Sequence, residues 1–253
     1  MIDLDKIVKE INFKNIFPDD IANDFFFYKY KKYLFYLKSL LIYKELRHFT
    51  YISNTTIDNQ TDEFIQFKKF MQKIEGMSTI ANAWIINQIA KKLAPNDNYL
   101  NIGCWKGFSL VAGMINTKCN VYGVDNFSWK EKANKIFYKN FSNHRNKNKH
   151  FFYEGDYVKY LKEWSRNKQY INFYFYDGPH TYKDQYQSLE IASEFFTKNT
   201  IILVDDTNWS EPREATMDFI AKNGNDYKIL KDLKCSHAKH PTFWNGLIIF
   251  KKI

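Results

Sequence analysis

From residue 76 to the C-terminus, short apolar stretches alternate with longer amphipathic ones, and this alternation constrains the fold more than any other feature of the sequence. Seven of the stretches have the length and composition of strands: 99–102, 120–124, 151–153, 171–176, 200–204, 227–230 and 246–250. Helices fill the intervals, and one more is predicted from Ser78 to about Lys92. Strands that alternate with helices pair in parallel, so the pattern predicts an α/β fold with a doubly wound, largely parallel sheet.

Two capping boxes mark helix starts in this region, because their side chains can accept hydrogen bonds from the first helical turn. Ser128 and Glu131 form one box, and Thr181 and Asp184 form the other. Between the last two strands a long loop is predicted over 231–245.

The nine glycines all lie at position 76 or later, and residues 1–75 contain none. This distribution predicts a boundary between an N-terminal helical segment, 1–75, and a main domain, 76–253. Pro18 is typical of a helix start, and helices are predicted over about 24–46 and 61–75, separated by a polar stretch. The aromatic helix over 24–46 packs against the main domain or a partner subunit in the simplest interpretation. A lid over a substrate and a membrane-surface helix are the alternatives.

The composition is that of a globular protein, with 45% hydrophobic and 19% aromatic residues in 253, enough for a buried core. No apolar run approaches the roughly 18 residues of a membrane span, and the charged N-terminus lacks the apolar core of a signal peptide. Three cysteines without a CxxC pair argue against a disulfide framework and a structural zinc site. We therefore expect a soluble cytoplasmic protein.

The formal charge of +9 raises the question of a nucleic-acid partner. Only four of the 37 basic residues are arginine, however, and arginine is the better ligand for phosphate. Lysine, asparagine and isoleucine all have AT-rich codons, so the excess is explained by base composition and nucleic acid is not expected. The densest basic stretch, 130–150, is interpreted as a solvated helix face and loop, with an anionic substrate such as a nucleotide sugar as the alternative.

The first three strands are followed by residues suited to a nucleoside. The segment 101–109 (NIGCWKGFS) supplies a glycine turn and then a helix N-terminus, which can approach a ligand closely. Asp125 ends the second strand, where a carboxylate can accept hydrogen bonds from a ribose diol. Gly155 and Asp156 follow the third. This arrangement fits a nicotinamide cofactor or S-adenosylmethionine, and the absence of GxGxxG favours the second.

The fourth and fifth strands are followed by carboxylates, Asp177 after one and Asp205 and Asp206 after the other. Neighbouring strands lie about 4.8 Å apart, so these side chains would converge if the two strands pair. Three oxygen donors suit Mg²⁺ and would repel each other without a cation. In the alternative, Asp205 or Asp206 caps the next turn.

Taken in order, these segments resemble class I S-adenosylmethionine-dependent methyltransferases. The likeness is greatest to the O-methyltransferase branch with the caffeoyl-CoA, catechol and macrocin-type sugar enzymes. The motifs are Gly76-Met77-Ser78, NIGCWKGFS at 101–109, VDN at 124–126, EGD at 154–156, YDGPHTY at 176–182 and VDDTNW at 204–209. The closing NGLIIFKK also resembles the family's final strand. The resemblance implies a Rossmann-like, seven-stranded sheet with a C-terminal antiparallel strand.

The resemblance also implies which residues bind the cofactor. They are Met77 and Ser78; Asn101, Gly103, Cys104, Trp105, Gly107 and Ser109; Asp125 and Asn126; and Gly155, Asp156 and Asp177. Asp125 would hold the ribose hydroxyls and Asp156 would face the adenine amino group. The family usually has an acidic residue where this chain has Asn101, so one charge near the cofactor is missing.

In the caffeoyl and catechol branch, the positions of Asp177, Asp205 and Asp206 hold a divalent metal, and the position of His180 holds a basic residue near the reacting hydroxyl. That branch has asparagine at the third metal position, so Asp206 tilts the likeness toward the sugar-modifying enzymes. The resemblance thus implies catalytic roles for His180 and Asp177, with Mg²⁺ and His180 making the acceptor oxygen more anionic.

We therefore expect an O-methyltransferase acting on a small hydroxylated acceptor such as a sugar or glycoside, with homo-oligomers through the N-terminal helices as a further possibility. A metal-independent methyltransferase and a non-catalytic cofactor-binding scaffold are the alternatives. An NAD-dependent oxidoreductase is disfavoured. Trp209 and Trp244 are predicted to line the substrate mouth, and Cys235, His237 and His240 are interpreted as unrelated residues rather than a metal cluster.

Overall fold

A computed structural model describes residues 2–14, 54–129, 132–164, 169–236 and 238–253. The strands are β1 (Ile11–Phe13), β2 (Thr55–Ile57), β3 (Asn98–Ile102), β4 (Asn120–Asp125), β5 (His150–Glu154), β6 (Ile171–Tyr176), β7 (Phe196–Val204), β8 (Tyr227–Leu233) and β9 (Leu247–Lys252). The helices are α1 (Leu4–Lys9), α2 (Asp62–Met71), α3 (Ile80–Lys91), α4 (Phe108–Met114), α5 (Ala133–His144), α6 (Tyr157–Trp164), α7 (Tyr182–Ser193) and α8 (Ser210–Lys222), with a 3₁₀ turn at Gly224–Asp226.

Strands β3 to β9 form one sheet in the order β5-β4-β3-β6-β7-β9-β8. The pairs from β5 to β7 are parallel, and β9 runs antiparallel to both β7 and β8. The predicted seven-stranded, mostly parallel α/β fold with a C-terminal antiparallel strand is confirmed.

The central strands are buried on both faces, as a sheet covered by helices requires. Successive side chains alternate: Tyr99 joins the hydrophobic cluster under α3 and α4, whereas Leu100 and Ile102 join the cluster under α6, α7 and α8. In β6, Phe173 and Phe175 likewise face the first cluster. This double coverage explains why the strands are nearly continuous apolar runs in the sequence.

The register of the sheet sets four strand ends at one level. Ile102 is paired with Val124 and with Tyr176, and Tyr176 is paired with Val204. The residues at or just after these strand ends therefore lie along the carboxyl edge of the sheet in the order Asp125, Gly103, Asp177 and Asp205. In doubly wound sheets this edge is where ligands bind.

One predicted helix start is confirmed and the other is wrong. Thr181 caps α7, where its hydroxyl accepts from the Asp184 amide at 3.1 Å. Ser128 lies in a turn, and α5 begins only at Ala133, after Lys132 in a left-handed conformation (φ 68°). Glu131, the second half of that box, lies outside the described residues.

The described residues of the front segment, 2–14 and 54–75, contain two helices, α1 and α2, and also a two-stranded antiparallel sheet of β1 and β2. Strand β2 falls in the polar stretch that was predicted to be a connection, so that prediction was wrong. A strand of three residues is too short to show an alternating hydrophobic pattern in the sequence. Apolar side chains of the segment, including Leu4, Phe64 and Met71, belong to the same cluster as α3. The predicted helix over 24–46 lies outside the described residues. No described helix combines the length and apolarity that crossing a membrane requires.

Candidate active site

The turn after β3 is built around glycines in the left-handed region. Gly103 has φ 83°, and its amide donates to the Val124 carbonyl at 2.9 Å. A Cβ on Gly103 would lie 1.9 Å from the carbonyl oxygen of Asp177, so this position accepts only glycine. Gly107, at φ 93°, precedes α4. The turn after β3 thus contacts the end of β6 directly.

The carboxylate of Asp125 organises this turn. One of its oxygens accepts from the amides of Cys104 and Trp105, each at 2.7 Å, and the other accepts from the Phe127 amide at 2.6 Å. A carboxylate has about four acceptor sites, so these bonds leave capacity for a ligand hydroxyl. The predicted contact of Asp125 with a ribose therefore fits the donor and acceptor chemistry.

Beneath the turn lies a buried polar group. The Asn101 amide donates to the Tyr99 hydroxyl at 3.0 Å and to the Ser109 hydroxyl at 3.2 Å, and its oxygen accepts from the Cys104 thiol at 3.2 Å. Burial raises the pKa of Cys104 well above its usual range and keeps it a thiol donor. Asn101 is fully buried, so its contacts in the structure stabilise the turn.

The third strand end supports the turn from the side. The Gly155 amide donates to the Asp125 carbonyl at 2.9 Å, and the Asp156 carboxylate accepts from the Lys159 amide at 2.9 Å in the first turn of α6. Asp156 thus has a helix-capping contact beside its predicted role toward adenine. Of the other predicted cofactor residues, Asn126 accepts from the Ser128 amide at 3.0 Å and Ser78 accepts from Asn82 at 3.2 Å, while Met77 is 37% exposed.

Asp177, His180 and Asp206 converge at the ends of β6 and β7, with one potential ligand atom from each lying within 4.8 Å of the others. His180 Nε2 lies 3.0 Å from an oxygen of Asp206. Asp205 lies outside this group, and its carboxylate accepts from the Asp206 amide at 2.9 Å. Among the residues that the structure describes, it is the one group of three such side chains close enough for a shared metal ion.

Burial and mutual repulsion dominate the electrostatics of this edge. Burial raises the pKa of Asp177 well above its usual range, and the charges of Asp205 and Asp206 raise it further. The pKa of Asp205 is raised well above its usual range by the same two causes. Burial also raises the pKa of Asp206, partly offset by His180 and by a hydrogen bond from Asn245. Such carboxylates are the hard donors that a divalent cation prefers.

Two residues near the cluster come from the loops after β7 and β8. Trp209 is 41% exposed, and its ring meets the His180 ring edge to face at 5.0 Å. Asn245, which was not among the predicted site residues, donates to Asp206 at 2.5 Å. The signal available in the sequence was the Asn-Gly pair before the last strand.

Other predictions near this site have mixed outcomes. Trp244 is only 7% exposed, so the prediction that it lines an open substrate mouth is wrong. The His240 ring pairs with the Thr242 hydroxyl at 2.6 Å, and His237 lies outside the described residues. In the 130–150 stretch, Lys149 is half-buried and donates to the Pro95 carbonyl at 2.6 Å. The other described lysines and arginines there are exposed, which agrees with a solvated surface: Lys132, Lys135, Lys139, Arg145 and Lys147.

Comparison with known proteins agrees with the observed sheet. Residues 100–207 match the model of a methyltransferase domain family. The search of curated proteins gave no significant match. The fold is similar to that of an O-methyltransferase from Bacillus cereus in complex with S-adenosylhomocysteine, with a TM-score of 0.56 and 14% identity over 86% of this chain and 96% of that one.

Two further structures share the fold at low identity. A candidate O-methyltransferase from Klebsiella pneumoniae has a TM-score of 0.54 and 13% identity over 86% of this chain and 94% of that one. A candidate S-adenosylmethionine-dependent methyltransferase from Streptococcus mutans has a TM-score of 0.51 and 16% identity over 66% of this chain. The chain covers 47% of the length of the Streptococcus protein.

The matched segment runs from β3 to the turn after β7, and so contains the glycine turn, Asp125 and the acidic cluster. Together with the sheet order, this match identifies residues 100–207 as a methyltransferase domain, which agrees with the predicted class, a class I methyltransferase dependent on S-adenosylmethionine.

Proposed function

We propose that the chain is an O-methyltransferase that holds S-adenosylmethionine against the turn after β3 and methylates a hydroxyl at the ends of β6 and β7. The observation that carries the proposal is the convergence of Asp177, His180 and Asp206 beside the glycine turn. At Gly103 the turn lies so close to the Asp177 carbonyl that a Cβ would not fit. A methyl donor and an acceptor oxygen held on these two surfaces would be neighbours, as in-line transfer requires.

In this proposal Asp125 accepts the ribose hydroxyls while its other contacts keep the turn in shape. The glycines let the backbone approach the cofactor closely. The other cofactor-binding residues predicted from the sequence, of which Met77 is the first and Asp177 the last, are also part of this proposal.

On the acceptor side, the chain supplies a base. His180 Nε2 faces a carboxylate oxygen of Asp206, so Nε2 would carry the proton and Nδ1 would be the acceptor nitrogen. Nδ1 could then take the proton of the acceptor hydroxyl as the methyl group is transferred. Asp206 orients the ring.

The acidic residues also fit a divalent cation, since oxygen donors are those that Mg²⁺ prefers. Asp177 and Asp206 would hold it, with Asp205 as the proposed third ligand. A bound cation lowers the pKa of a nearby hydroxyl and offsets the repulsion among the carboxylates.

A metal-independent methyltransferase is the second candidate, and the 3.0 Å contact between His180 and Asp206 favours it, because such a pair can act as a base alone. The acceptor on either account is a small hydroxylated molecule, with a sugar or glycoside as our first choice. The exposed ring of Trp209 beside His180 supplies apolar surface for it. The domain division at residue 76 and self-association through the N-terminal helices remain proposals.

Three measurements test the proposal. Calorimetry with S-adenosylhomocysteine should show binding, and its absence would exclude a methyltransferase. Methyl transfer from labelled S-adenosylmethionine should be assayed against catechols, caffeoyl thioesters and glycosides. Cofactor binding with no transfer to any acceptor would favour the scaffold. Loss of transfer with EDTA, restored by Mg²⁺, supports the metal-assisted reaction, whereas unchanged transfer supports the second candidate.

A further inference from the structure

Asp206 is held in an unusual backbone conformation. The φ of Asp206, 59°, lies in the left-handed region, and Asp206 is 5% exposed. Each carboxylate oxygen has a different partner, His180 Nε2 at 3.0 Å on one side and Asn245 Nδ2 at 2.5 Å on the other. The orientation of this carboxylate is therefore set by two side chains from different loops.

The Asn245 amide has its direction fixed by a second contact. Its oxygen accepts from the Lys239 amide at 2.6 Å, so a flipped side chain would place a donor against a donor. The Asn245 carbonyl accepts from the Asn208 amide at 2.7 Å, and the residue is 4% exposed. Asn245 is thus a buried link between the loop before β9 and the turn after β7.

The left-handed conformation at Gly246 makes this link possible. Gly246 has φ 84°, and a Cβ there would lie 2.3 Å from the Asn208 side-chain oxygen. With glycine at 246, the chain can bring the preceding asparagine against Asp206. The C-terminal loop is in this way part of the catalytic edge rather than a plain connection between two strands.

We infer that Asn245 is a positioning residue, which holds the Asp206 carboxylate in the direction needed to serve the cluster of Asp177, His180 and Asp206. The inference rests on the proposed function, and within it Asn245 acts only through Asp206. Residues that orient a ligand to a metal typically contribute about 10- to 100-fold to metal affinity or activity.

The test compares Asn245→Ala with a matched control, Asn208→Ala. Asn208 also makes two side-chain hydrogen bonds to the same loop, with the Cys235 amide at 3.1 Å and the Cys235 carbonyl at 2.6 Å. Both variants therefore loosen the loop, and only Asn245→Ala removes a donor from Asp206. For each full-length protein, calorimetry would measure the affinities for Mn²⁺ and for S-adenosylhomocysteine, and a thermal melt would measure Tm.

We expect Asn245→Ala to weaken Mn²⁺ binding by about 10-fold or more, with S-adenosylhomocysteine affinity unchanged. Asn208→Ala should bind both ligands as the wild type does. If Asn245→Ala is too unstable to purify, Asn245→Ser replaces it, because its hydroxyl can still donate. That variant should lose Mn²⁺ affinity to a smaller extent, while Asn208→Ala still loses none.

The inference is overturned if Asn245→Ala binds Mn²⁺ normally, if Asn245→Ser used in its place does so, or if Asn208→Ala loses as much affinity. A wild-type protein that binds S-adenosylhomocysteine but not Mn²⁺ would overturn it together with the metal-assisted reaction, leaving the methyltransferase proposal intact. A wild type that binds neither would overturn the proposed function itself.

Discussion

The carboxyl edge of the sheet has two halves, one after β3 and β4 and one after β6 and β7, and their carboxylates lie in opposite environments. In the half after β3 and β4, one carboxylate, Asp125, accepts from three backbone amides of the turn around it. In the half after β6 and β7, three carboxylates lie together, and burial and repulsion raise the pKa values of Asp177 and Asp205.

The difference shows what each half contributes. Backbone amides cannot move independently, so the first half is a preformed surface whose remaining capacity suits a neutral, hydroxyl-bearing ligand. The second half has an excess of negative charge that a proton, a cation or an imidazolium can relieve. In the proposed function, a cofactor surface that is formed before binding thus lies beside an acceptor surface that is completed by what binds there.

The largest expected effect separates chemistry from cofactor binding. His180→Ala removes the proposed base and should lower turnover by about 10²- to 10⁴-fold. The affinity for S-adenosylhomocysteine should stay unchanged, because the glycine turn is intact. Steady-state methyl transfer and calorimetry measure the two quantities. His144→Ala, at the end of α5, is the matched control and should retain turnover. Unchanged turnover in His180→Ala would exclude it as the base.

The next prediction tests the junction of the two halves. Gly103→Ala places a Cβ 1.9 Å from the Asp177 carbonyl in addition to the strain of a positive φ, so we expect a loss of about 3 kcal/mol or more in the free energy of unfolding. Gly224, with φ 55° and open space around it, is the control for strain alone. Gly224→Ala should cost about 1–2 kcal/mol. Equal losses in urea unfolding would contradict the close contact.

A smaller effect is expected from the charge of Asp125. Asp125→Asn is nearly isosteric, but its amide brings a donor to a place where three amides already donate, so the turn should loosen. We expect S-adenosylhomocysteine affinity to fall by about 10-fold, which corresponds to about 1.4 kcal/mol. Asp97→Asn is the control, since Asp97 accepts from the Ala94 amide at 2.7 Å in an exposed turn. A cofactor affinity that falls equally in both variants would contradict a specific role.

Much of this edge could be predicted because parallel strands leave a strong signal in the sequence. Apolar runs end at a glycine or an aspartate, and the register then places Gly103, Asp125, Asp177 and Asp205 in a row. The short strand β2 could not be predicted, since its three residues carry no period and its pairing with β1 spans more than 40 positions of the sequence.

The composition of the acidic cluster could be predicted only in part. Asp205 and Asp206 are adjacent, and the sequence does not tell which of them faces His180. That choice depends on the left-handed backbone at Asp206, φ 59°, and on the loop that brings Asn245 to it. Both features depend on tertiary structure, because the loop before β9 reaches the turn after β7 only when β9 is paired with β7.

The smallest predicted effect tests whether the acceptor half is strained without a cation. The pKa of Asp205 is raised in the folded protein above its unfolded value near 3.8, so its charged form destabilises the fold at neutral pH. Asp205→Asn removes that charge. We expect a higher Tm for metal-free protein at pH 7, by about 2–4 °C for each kcal/mol of repulsion removed.

The sign of the pH dependence follows from the same shift. The penalty grows as pH rises from the unfolded pKa of 3.8 through the folded pKa, and it vanishes below 3.8, where the carboxyl is protonated in both states. The Tm difference between Asp205→Asn and wild type should therefore shrink as pH is lowered toward 4, and should also shrink when Mn²⁺ is added at pH 7. Asp226→Asn is the control, because Asp226 precedes β8 at the opposite, amino edge of the sheet, and it should show neither trend.

An Asp205→Asn protein less stable than wild type at pH 7 would contradict the prediction. It would show that the hydrogen bond from the Asp206 amide to Asp205 outweighs the repulsion, so that the carboxylates after β6 and β7 are stabilised by their contacts as Asp125 is.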